Sequence, residues 1–103
     1  MIRRIFEQDY IIIEAENGRK AVDLALRILP DIILMDIMMP ESDGLTALSE
    51  MKLNEQTKAI PVIMLTGVGY ELNERLAKSM GAKGYMRKPI KPQELLDAVS
   101  KLL

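Results

Sequence analysis

Cysteine and histidine are both absent from the 103 residues. Their absence removes disulfides, zinc sites built on thiolate or imidazole, thiol nucleophiles and imidazole acid–base catalysis. No uncharged apolar run reaches the roughly 18 residues of a membrane span, so no transmembrane helix is expected. The amino terminus, Met1-Ile2-Arg3-Arg4-Ile5-Phe6-Glu7, is basic and then apolar, but acids interrupt it before a signal-peptide core forms. An excess of one charge is missing as well. The formal net charge is -1, which gives no reason to expect direct nucleic-acid or membrane binding. A chain without cysteine fits a cytoplasmic setting. The chemistry left open uses carboxylates, hydroxyls, lysines and a hard, oxygen-seeking metal.

The chain does have apolar content, at 49%, ample for one domain over residues 1–103 at the small end of what buries its own core. Apolar residues at 1, 2, 5 and 6 have helix-like spacing over Met1 to Glu7. Tyr10-Ile11-Ile12-Ile13, running on to Ala15, reads as a buried strand. From Arg19, the spacing of Ala21, Val22, Leu24, Ala25, Ile28 and Leu29 predicts an amphipathic helix stopped by Pro30. Ile32 to Met35 is apolar on both faces, as a central parallel strand should be. Asp43 is a candidate cap for a helix with Leu45, Leu48 and Met51 inward. Pro61 opens the strand Val62 to Thr66. Leu72, Leu76 and Met80 stripe a short helix ended by Gly81. Gly84-Tyr85-Met86 is a short strand, and Pro92 starts a helix with Leu95, Leu96, Val99 and Leu102 inward. Strands alternating with helices predict an α/β, doubly wound parallel sheet.

Three polar side chains each stand just past an apolar segment: Asp36, Thr66 and Lys88. In open parallel sheets ligands bind beyond the carboxyl ends of the strands, at the point where strand order reverses, and Asp36 is expected there. An acid, a hydroxyl and a lysine on that edge suit a phosphoryl-accepting site. Taken singly, each has a plainer explanation: an acid in a turn, a β-forming threonine, a solvated lysine. The methionines are spread through strands and helices, so core filling explains them better than a metal site.

The run Asp31-Ile32-Ile33-Leu34-Met35-Asp36-Ile37-Met38-Met39-Pro40-Glu41-Ser42-Asp43-Gly44, with Thr66 and Lys88-Pro89 downstream, resembles the receiver domain of two-component response regulators, the flavodoxin-like fold of the chemotaxis response regulator. The resemblance implies Asp36 as phosphoacceptor and the Met38 carbonyl as a metal ligand. Thr66 would hydrogen-bond the phosphoryl group, and Lys88 would pair with Asp36 and its phosphate. It also implies a peptide bond to Pro89 that is often cis, and Tyr85 as an aromatic switch, a residue that reads equally well as an ordinary half-buried strand tyrosine. It implies no enzyme in its own right. The partners would be a histidine kinase or phosphotransfer protein and a downstream protein target.

The family also carries a first strand ending in an acidic pair, in the sheet order 2-1-3-4-5. Neither is present in this sequence, so the chain reads as an amino-terminally truncated receiver with four strands. Mg²⁺ binding is expected to be weak or absent, and phosphorylation impaired. The strand from Tyr10 to Ala15 is expected to move beside Ile32 to Met35, giving a parallel order of the Tyr10, Ile32, Val62 and Gly84 strands. At most one of Glu14 and Glu16 would then serve near Asp36, and both read more simply as surface acids. Apolar surface left by a shortened first helix favours a homodimer. Two other readings remain: a pseudo-receiver that binds or dimerises without phosphate chemistry, and a fragment of a complete receiver.

Overall fold

The β-branched and aliphatic runs form strands, and the segments with helical periodicity between them cross back over the sheet. The computed structural model describes residues 2–3, 11–15, 18–37, 41–66 and 74–103. In chain order the elements are β1 (Ile2–Arg3), β2 (Ile12–Ala15), α1 (Gly18–Ile28), β3 (Ile32–Ile37), α2 (Glu41–Leu53), β4 (Val62–Thr66), α3 (Glu74–Ser79), β5 (Gly84–Arg87) and α4 (Pro92–Leu102). The sheet has the order β1-β2-β3-β4-β5, with β2 to β5 parallel. β1 adds two residues antiparallel to β2, Ile2 opposite Ile13 and Arg3 opposite Ile12.

The strand shift expected from sequence is present. Ile12 pairs with Ile32, Ile13 with Ile33, Glu14 with Leu34 and Ala15 with Met35, so β2 sits directly beside β3. The entry to this ladder is held by a reciprocal pair of bonds. Ile11 N–H donates to Asp31 Oδ2 at 2.7 Å, and Asp31 N–H donates to the Ile11 carbonyl at 2.8 Å. Successive strand residues face opposite sides. Ala15, Ile33, Met35, Val62 and Met64 pack under α1, α2 and α3, through Ala21, Ala25, Leu48, Met51 and Ala77. Ile12, Ile32, Leu34, Ile63 and Leu65 form the other face, against Val99 of α4.

Four expectations are corrected. Ile2 and Arg3 lie in a strand, because pairing with Ile12 and Ile13 overrides two turns of helix-like spacing. Asp43 does not cap α2, which already begins at Glu41. Leu76 is exposed while Ala77 is fully buried, so α3 turns its small residue inward. Among the described strands the order does not reverse, so Asp36 does not lie at a reversal point of these strands. α1 and α2, the connections on either side of β3, lie on one face. Tyr10, Glu16, Met38 and Leu72 lie outside the described residues.

Below the sheet, Lys52 ties three segments together. Its Nζ donates to the carbonyls of Lys58 at 3.1 Å and Ile60 at 3.3 Å. Its stem covers Gly81, which has φ 112°, and a Cβ there would lie 2.8 Å from Lys52 Cε. Burial, and then the charge of Lys83, lower the Lys52 pKa.

Two outcomes follow from this packing. Asp31→Ala, which frees the Ile11 N–H, should lower stability by about 1 kcal/mol, read as a lower urea midpoint with unchanged slope. For Lys52, the folded chain binds fewer protons than the unfolded chain between the lowered pKa and the ordinary lysine value of 10.5. Its contribution to stability should therefore rise with pH across that window. A ¹⁵N-resolved titration placing the Lys52 midpoint at or above the ordinary value would contradict this.

Candidate functional site

Parallel pairing puts the ends of β3, β4 and β5 on one edge. Asp36 is opposite Leu65, Ile37 opposite Thr66, and Thr66 opposite Arg87. One residue past β5, Lys88 N–H donates to the Thr66 carbonyl at 2.7 Å. This bond carries the ladder beyond the strand and fixes the root of the Lys88 side chain. The Lys88–Pro89 peptide bond is cis. Proline also restricts the backbone of the residue before it, so the lysine leaves the sheet edge in a defined direction.

Lys88 Nζ lies 2.7 Å from Asp36 Oδ1 and 2.6 Å from Oδ2. It therefore bridges both oxygens of a carboxylate that is only 13% exposed, while the lysine side chain is 36% exposed. A charge-assisted bond at that separation, partly shielded from water, is stronger than a surface ion pair. Thr66 is buried at 2% exposure, and its Oγ1 stands 3.5 Å from the Tyr85 hydroxyl, at the long limit of a hydrogen bond. Tyr85 is half-buried and packs against the face that α1, α2 and α3 cover.

Asp36, Thr66 and Lys88, each just past an apolar segment, thus reach one edge, and Tyr85 stands beside Thr66. Arg87 is exposed; paired with Thr66, it lies on the sheet face of Thr66 and Tyr85, opposite that of its neighbour Lys88. Met38 lies outside the described residues, as does Glu16. Glu14 stands opposite Leu34, two residues short of Asp36 on the neighbouring strand. Among the described residues no three Asp, Glu, His or Cys side chains group to hold a metal. The Thr66–Tyr85 approach was not legible in the sequence, because nineteen positions separate the two and they come near only where β4 pairs with β5, Tyr85 standing opposite Met64, two residues before Thr66.

This geometry can be set beside known proteins. The sequence matches the response regulator receiver domain family over residues 1–100. The chain belongs to the receiver-domain family. It is 39% identical to the chemotaxis protein CheY of Halobacterium salinarum over 104 residues, covering 100% of this chain and 85% of that protein. Protein PilH of Pseudomonas aeruginosa is 37% identical over 92 residues, with coverage of 89% and 76%. Among solved structures, the receiver domain of a signal transduction histidine kinase from Syntrophus aciditrophicus superposes with a TM-score of 0.70 at 28% identity, covering 89% of this chain and 88% of that one.

Receiver domains are generally signalling modules rather than enzymes, and they generally bind Mg²⁺ at an acidic pocket. They interact with histidine kinases and downstream targets. Among the described residues of this receiver, no helix is long and apolar enough to cross a membrane.

The Asp36–Lys88 pair can be tested through stability. A double-mutant cycle over Asp36→Asn and Lys88→Ala should give a coupling energy of about 1–2 kcal/mol, above the ~0–1 kcal/mol of exposed pairs. Additive effects in chemical denaturation would show that the two groups are not paired in solution.

Proposed function

We propose that this receiver accepts a phosphoryl group on Asp36, more slowly than receivers that carry the acidic pair, and signals through protein–protein contacts. The observation that carries the reading is the Lys88 ammonium bridging both oxygens of a half-buried Asp36 at the strand edge. One oxygen must be free to attack phosphorus. Lys88 can keep the other and follow the new phosphoryl oxygens, since its ammonium has three donors on a flexible stem. The bond that forms is Asp36 Oδ to phosphorus, and the one that breaks joins phosphorus to the donor's leaving group.

The modified aspartate carries about -1.5 to -2 charges where the free carboxylate carried about -1. Lys88 offsets part of that, and the Thr66 hydroxyl supplies a donor. Reorientation of Thr66 toward the phosphoryl group would end its long contact with Tyr85, which makes Tyr85 the natural reporter of the modified state.

The fit to Mg²⁺ is partial. Magnesium takes one or two carboxylates together with phosphate and waters, and the described edge offers the Asp36 carboxylate. Asp36 and, by family resemblance, the Met38 carbonyl would hold the ion, which when bound would neutralise developing charge on the transferring oxygens. A single carboxylate already committed to lysine supports weak binding. A histidine kinase or phosphotransfer protein is the donor class in this reading, and a downstream protein the receiver of the signal.

Incubation with acetyl phosphate and Mg²⁺ should add one phosphoryl group slowly and incompletely, at Asp36, with none on Asp36→Asn. Intact-mass spectrometry reads the outcome directly. Rapid stoichiometric modification would overturn the impairment. No modification under any condition would leave the chain a phosphorylation-independent binding module.

A further inference from the structure

Leu26, Leu29 and Leu53 are 40%, 54% and 82% exposed. Single exposed leucines need no explanation, but these three share one end of the molecule. Leu26 is in the last turn of α1, Leu29 follows it, and Leu53 ends α2. Both helices pack on the same sheet face and cross back between parallel strands, so they run side by side in the same direction, with their carboxyl ends towards the edge where the strands begin. Leu29 has φ 51°, the left-handed position after a helix where glycine or asparagine is usual. A leucine held there, and more than half exposed, contributes little to its own fold.

The charges on the two helices are complementary. The exposed charges of α1 are Arg19, Lys20, Asp23 and Arg27, a net positive set, and among the described residues the exposed face of α2 carries Glu50, one turn before Leu53. We propose that the outer faces of α1 and α2 form a two-fold interface with a second copy of this chain. A two-fold axis parallel to the helices sets α1 over α2 of the second copy with carboxyl ends together. Leu26 and Leu29 then meet the second copy's Leu53, Arg27 meets its Glu50, and the same contacts repeat on the other side, as a self-complementary interface requires. This surface lies on the helix layer, away from the sheet edge that holds Asp36, so it stands independently of phosphorylation.

Sedimentation velocity on the whole chain, from about 10 µM to about 1 mM, should show a reversible monomer–dimer equilibrium. Leu53→Ser should weaken it about tenfold or more, and Glu50→Arg should weaken it as well. Leu29→Gly separates folding from association: the dilute monomer should melt at a higher temperature while the dimer weakens. Circular dichroism confirms that each variant is folded. A monomer at every concentration would overturn the proposal. So would a dimer that survives both Leu53→Ser and Glu50→Arg, since another surface would then hold it.

Discussion

Strand β3 sets the constraint on which the remaining structure depends. Ile32, Ile33, Leu34 and Met35 are all fully buried, so the backbone groups of this strand cannot turn to water on either side. Each buried N–H or C=O left without a partner costs about 1–3 kcal/mol, and a domain's whole net stability is only about 5–15 kcal/mol. β4 satisfies one side of β3. β2 satisfies the other through four residue pairs, with Asp31 and Ile11 closing the start of the ladder. The sequential strand order and the placement of α1 and α2 on one face follow from that seat.

The same ladder determines what the functional edge contains. Because β3, β4 and β5 end in register, Asp36, Thr66 and Lys88 meet although 52 positions separate the first and last. The sequential order opens no crevice of the kind found where strand order reverses. The site rests instead on a side-chain pair at the end of the sheet. Lys88 serves Asp36 twice: its backbone N–H bonds the Thr66 carbonyl, and its ammonium neutralises the carboxylate. This edge pairs a carboxylate with its cation, while among the described residues no group of acids stands together to hold a metal.

Much of this was legible in the sequence, for identifiable reasons. Val62 to Thr66 matched to the residue because Pro61 marks its start and five apolar or β-forming residues follow. Asp36 and Thr66 were readable because each ends a buried run, and Lys88 because it stands just past a short strand; in a parallel sheet such ends share an edge. Local pattern failed where long-range packing decides. The spacing of Met1 to Glu7 fits two helical turns, yet Ile2 and Arg3 pair across the sheet edge with Ile13 and Ile12. The stripe of Leu72, Leu76 and Met80 assumed a helix centred on the leucines. In the six-residue α3 the small Ala77 fits against the sheet and Leu76 faces water. At the start of α2, Glu41, Ser42 and Asp43 are all polar, and hydrophobic periodicity cannot say which of them begins the helix.

The central claim is that β2 of the same chain fills the seat beside β3, and it can be read from cross-strand nuclear Overhauser effects. In a sample mixing isotope-labelled and unlabelled chains, amide and α-proton contacts should join Ile13 to Ile33 and Ala15 to Met35 within one chain. Contacts that appear only between labelled and unlabelled chains, or their absence with β3 amides exchanging rapidly, would contradict the account.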